Sequence, residues 1–131
     1  MTYAVGDALP EFTIPSVDPE AMKQWAVFLE DPNPIHLDAE VVKAKGLGDR
    51  VINQGPANVA YLINMLMAAF PGGRIAAMDT RFLDNVYGGD TVTARGTVTG
   101  VEDARVSCEF TLDVEGRGPV NSGTATILIR P

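Results

Sequence analysis

The sequence predicts an α+β domain in which a curved antiparallel sheet wraps around one apolar helix. Three observations carry this. Helical spacing is confined to the first half of the chain, strict alternation fills the part after Thr91, and the stretch 57–70 is apolar on nearly every face. Helices segregated from strands, rather than alternating with them, distinguish α+β from α/β.

Taken in order, a first strand is expected around 11–17. Asp18-Pro19-Glu20 then reads as an N-cap, a first helical residue and a first-turn acid. Ala21, Trp25, Phe28 and Leu29 follow at helical spacing, giving a helix over 19–30 that stops before Pro32. A short second helix starts at Asp38 as N-cap and ends at Gly46. The third begins after Gly55-Pro56, carries Val59, Leu62, Ile63, Leu66 and Met67, and breaks at Pro71-Gly72-Gly73. Its remaining faces hold Ala57, Ala60, Tyr61, Met65, Ala68 and Ala69, and a helix so apolar is normally wrapped by the rest of a protein.

A strand over 74–82 precedes the alternating half. There Val92, Ala94, Gly96 and Val98 alternate with threonines and Arg95, and Val106, Cys108, Phe110, Leu112 and Val114 alternate with polar residues. Ala125, Ile127 and Ile129 mark a last strand, with turns expected at 100–103 and 115–118. A consecutive antiparallel meander is the simplest topology. About five strands for one apolar helix, each burying the other's inner face, is the hot-dog arrangement.

At 131 residues the chain fits a single domain over 1–131, large enough to bury a core without a disulfide or metal staple. Apolar residues are 46% and charged residues 21%, which excludes a disordered chain. The net charge of −7 would repel a phosphate backbone, so no nucleic-acid partner is expected. Cys108 is the only cysteine and can form no intramolecular disulfide, which makes the cytoplasm the expected compartment. The N-terminal residues show neither the basic nor the apolar region of a secretory signal. The stretch 59–70 is about half a membrane span and carries Asn64, so no membrane partner is expected.

For chemistry the sequence offers one histidine, His36, in Asp31-Pro32-Asn33-Pro34-Ile35-His36. Two prolines with Asn33 between them predict a rigid, non-helical turn directly after a helix, holding Asp31 and His36 at a fixed separation suited to acid-base work. The same stretch is also a good helix stop in any protein. Gly46-Leu47-Gly48 lacks the third glycine of a dinucleotide loop and reads as a helix stop. One cysteine and one histidine supply no conventional zinc cluster, and no serine elbow is present, so no metal is expected.

The run 28–36 resembles the hydratase motif of the MaoC-like, (R)-specific enoyl-CoA hydratase family in its Asp, Asn, Pro and His at matching spacing. Val5-Gly6-Asp7-Ala8-Leu9-Pro10, Phe82 and Gly89-Asp90-Thr91-Val92 agree as well, so the resemblance covers nearly the whole chain. It implies a hot-dog dimer in which Asp31 and His36 bind the water that adds to a trans-2-enoyl-CoA thioester, giving an (R)-3-hydroxyacyl-CoA. Asn33 would shape the loop. The resemblance implies no cofactor beyond the coenzyme A of the substrate.

Hydration of a thioester passes through an enolate-like state, which requires a donor facing the thioester oxygen. Ile52-Asn53-Gln54-Gly55 resembles the family's lead into its central helix, and Gly55 stands at that helix N-terminus, where free N–H groups are found. Gly55 N–H is the expected oxyanion donor, with Gln54 beside it in substrate binding. The same residues also read as a plain turn and helix start. Gln54 stands where many family members have histidine, and Glu30 where glycine is frequent. The partner in a dimer is either an identical chain or a related hot-dog subunit, as in steroid side-chain hydratases. Two other classes remain open: a hot-dog thioesterase and a non-catalytic acyl-binding subunit.

Overall fold

The alternation read from the second half builds the sheet. In the computed structural model, which describes residues 2–129, β1 (Phe12–Ile14), β2 (Arg74–Phe82), β3 (Val92–Glu102), β4 (Arg105–Val114) and β5 (Gly118–Leu128) form one antiparallel sheet. Its order is β1-β3-β4-β5-β2. The last three strands are the expected meander. The two earlier strands take its edges, β1 on β3 and β2 on β5.

Three expected boundaries move. The first strand shrinks to three residues between Pro10 and Pro15, because proline donates no ladder hydrogen bond. β3 continues through Gly100 to Glu102, where a turn was expected; the register shifts between Val98 and Gly100 and the chain turns only at Asp103, φ 53°. A bulge of this kind keeps a strand paired past a glycine. The first helix, α1 (Pro19–Phe28), ends two residues early. The second, α2 (Ala39–Ala44), starts from Asp38 as an N-cap and stops at Gly46, which takes φ 70°.

The third helix, α3 (Gly55–Ala69), lies on the inner face of the sheet. Its Leu62, Met65 and Leu66 are fully buried against Val92, Ala94, Val98, Phe110 and Leu112, each contributing about 1.5–3 kcal/mol of transfer free energy. The sheet wraps α3 as expected, covering one side of the helix, while Pro56, Ile63, Asn64 and Ala68 stay exposed on the other in the single chain. No described helix is long and apolar enough to cross a membrane.

Candidate active site

The site begins where α1 ends. Leu29 closes the helix, Glu30 turns left-handed at φ 52°, and two hydrogen bonds seal the end: Glu30 N–H to Val27 O (3.2 Å) and Asp31 N–H to Ala26 O (2.9 Å). This is a Schellman closure with glutamate at the position that favours glycine. It ties the backbone of Asp31 to the helix that precedes it.

From there every short side chain organises the loop. Asp31 Oδ1 accepts from Asn33 N–H (3.2 Å), and Asn33 Oδ1 accepts from Ile35 N–H (3.2 Å). Asn33 thereby caps a 3-10 turn at Pro34–His36. The expected non-helical turn is therefore half right: Pro34 at the first helical position favours a short helical turn rather than preventing one. Asn33 itself is exposed.

The 3-10 turn carries His36 inward, to 7% exposure, where its Nδ1 lies 2.6 Å from the carbonyl of Ile52. A carbonyl only accepts, so Nδ1 carries the proton and a neutral ring presents its lone pair at Nε2. Nε2 faces Asp31 Oδ2 at 3.5 Å, with the Asp31 side chain 40% exposed. The structure thus brings Asp31 and His36 together, one wall buried and the other open.

Ile52 is itself clamped. Its N–H donates to Ile35 O (2.9 Å), and the flanking residues pair with the segment before β3 through Gly88 N–H to Val51 O and Asn53 N–H to Val86 O. Asp90, only 8% exposed, locks that segment by accepting from Tyr87 N–H, Arg50 and Arg117. Both guanidinium groups also lie 5.3 Å from the Tyr87 ring centroid, a cation–π arrangement.

Three residues after Ile52 the chain enters α3, so Gly55 lies within about 11 Å of the His36 anchor along the chain. Pro56 has no N–H, and Ala57 and Asn58 both donate to Gln54 O (3.1 and 3.3 Å). Among the hydrogen bonds of the described residues, Gly55 N–H has no partner. A Cβ here would meet the Phe82 ring at 3.2 Å, so glycine permits this close approach. Gln54 is fully buried; its Nε2 donates to Met22 O (2.8 Å), joining α1 to the start of α3, while its Oε1 has no protein partner.

Sequence reasoning missed Asn53, Asn58 and Tyr61. Asn53 Nδ2 donates to Asn58 Oδ1 (2.8 Å) and to the Tyr61 hydroxyl (3.1 Å), and both asparagines are buried. Burial pushes the Tyr61 hydroxyl pKa up, with the Asn53 bond opposing it. The available signal was a pair of asparagines flanking the start of an otherwise apolar helix. Among the described residues, no cluster of three His, Cys, Asp or Glu side chains is placed to hold a metal.

The fold has close counterparts. The (R)-hydratase from A. caviae involved in PHA biosynthesis superposes with a TM-score of 0.89 at 20% identity, over 98% of both chains. R-hydratase PhaJ1 from Pseudomonas aeruginosa gives 0.85 at 23% identity, over 97% of this chain and 82% of that one. The ChsH1-ChsH2 complex from Mycobacterium tuberculosis gives 0.87 at 22% identity, over 98% of this chain and 100% of that one. At these identities the likeness establishes a shared hot-dog fold. No curated protein sequence matches the chain. Residues 7–116 match the family described as MaoC like domain, and the chain belongs to that family.

Proposed function

We propose that the protein hydrates a trans-2-enoyl-CoA thioester to the (R)-3-hydroxyacyl-CoA, or runs the reverse dehydration, with Asp31 and His36 activating one water. The observation that carries this reading is the pairing of two hydrogen-bond acceptors, Asp31 Oδ2 and His36 Nε2, 3.5 Å apart, with the Nδ1 proton already committed to Ile52 O. A water donating one O–H to each acceptor satisfies both and turns its lone pairs outward.

In the forward direction the water oxygen bonds to C3 of the conjugated thioester and one of its protons passes to the pair. The C2–C3 double-bond electrons shift toward the thioester, placing negative charge on its oxygen, and a proton from the pair then bonds to C2. The sum is water added across the double bond, with no net change in the protein. The free Gly55 N–H at the positive end of α3 is the donor for the developing oxyanion. Gln54, whose Nε2 is committed to Met22 O, serves by tying α1 to the start of α3. The R configuration rests on the family resemblance.

The same reading includes a second hot-dog subunit. It is supported by the apolar surface along α3, where Ile63 is 37% exposed, and by the nine-residue β2 at an open sheet edge. The alternative is the catalytic subunit of a heteromeric enzyme for a bulky acyl group: the same surface would accept a related subunit, and the ChsH1-ChsH2 neighbour is a complex by name. A thioesterase would need another acidic residue, and α3 carries none.

Incubation with trans-2-enoyl-CoA esters of increasing acyl size, following loss of the conjugated thioester absorbance beside free thiol release, tests the reading. Absorbance loss without thiol is expected. Thiol release instead would overturn hydration, and activity only on addition of a second hot-dog protein would select the heteromeric form.

A further inference from the structure

An oxyanion is held well by two donors, and α3 offers its backbone only once. Pro56 lacks an N–H, Ala57 and Asn58 spend theirs on Gln54 O, and Gly55 N–H alone is left. A second donor therefore has to come from a side chain near the first turn. Asn58 sits three residues beyond Gly55, a spacing that brings side chains to within about 5–6 Å on one helix face. It is 3% exposed, yet its amide is only half used. Asn58 Oδ1 accepts from Asn53 Nδ2 at 2.8 Å, which shows the side chain turned back over the helix N-terminus. No described residue accepts from its Nδ2.

We infer that Asn58 is the second oxyanion donor, its side-chain NH2 bonding the thioester oxygen beside Gly55 N–H. Asn53 holds that amide in place and is in turn fixed through its own N–H to Val86 O (2.7 Å). It directly follows Ile52, whose carbonyl anchors His36. One backbone segment thus sets both His36 and the oxyanion donor. The inference rests on the hydratase reading and adds a residue to it.

The Asn58→Asp variant keeps an acceptor for Asn53 and removes the donor. Its kcat on the best enoyl-CoA ester is expected to fall about 100-fold or more at pH 8, with a smaller change in KM. Relative to wild type, activity should return partly as the pH falls and a protonated carboxyl regains a donor. A wild-type kcat at every pH would overturn the assignment, because a purely structural Asn58 needs only the acceptor. If Asn58→Asp does not fold, Asn58→Leu takes its place; an unchanged kcat in a folded Asn58→Leu protein overturns the inference equally. Wild-type protein that hydrates no enoyl-CoA ester, alone or with a second hot-dog subunit, would remove the hydratase reading itself, whereas wild-type hydration with an unaffected variant removes only Asn58.

Discussion

Two helix ends face the site, and they are finished in opposite ways. The C-terminal end of α1 is closed: the Glu30 and Asp31 N–H groups seal its last carbonyls, and the Asp31 and Asn33 side chains cap the loop leading to His36. The N-terminal end of α3 is open, with no side-chain cap, a proline in its first turn and Gly55 N–H left free. The closed end holds a carboxylate still by local hydrogen bonds within a dozen residues. The open end is held from afar, by packing of Leu62, Met65 and Leu66 on the sheet, and leaves a donor unspent. Acid-base groups need fixed geometry, whereas an oxyanion needs an unsatisfied donor.

This contrast can be broken from either side. The largest effect on stability is expected at the packed end: Leu66→Ala should cost about 2–5 kcal/mol, read as a lower denaturation midpoint. At the closed end, Asn33→Ala removes the cap of the 3-10 turn and should cost about 1 kcal/mol. Because it loosens the separation of Asp31 and His36, kcat should fall more than KM rises. An Asn33→Ala protein with lower stability and an intact kcat would show that the cap does not position the pair. Smallest of all, Glu30→Gly relieves the left-handed glutamate at φ 52° and should raise stability by up to about 1 kcal/mol. The Schellman closure predicts that its activity stays at the wild-type level.

The two ends were not equally legible in the sequence. The closed end is local: Asp18-Pro19 starts α1, Pro32 limits it, and the Asp-Pro-Asn-Pro run marks the loop, so Asp31 and His36 stand out from their neighbours alone. The sheet was legible for a similar reason, since Val106 to Val114 alternate on a period that only a strand satisfies. What stayed hidden depends on distant segments. The Ile52 carbonyl that fixes the His36 tautomer has no side-chain signature, and its position is set by residues 86–88 across a loop. Asn58 and Asn64 are the same letter on one helix, yet Asn58 is buried and Asn64 exposed. Helical period places them on the cylinder, and only the packing of α3 decides which face turns inward. Likewise Glu30 reads as an ordinary surface acid until its φ is known.

Asp31 and His36 are proposed to act on one water as a unit. The most direct test is a double-mutant cycle on kcat for enoyl-CoA hydration with Asp31→Asn, His36→Gln and the two combined. Each single change should lower kcat by about 10²–10⁴, and the double variant should be scarcely worse than either, as for groups that work together. Losses that multiply in the double variant, or single variants near the wild-type rate, would contradict it.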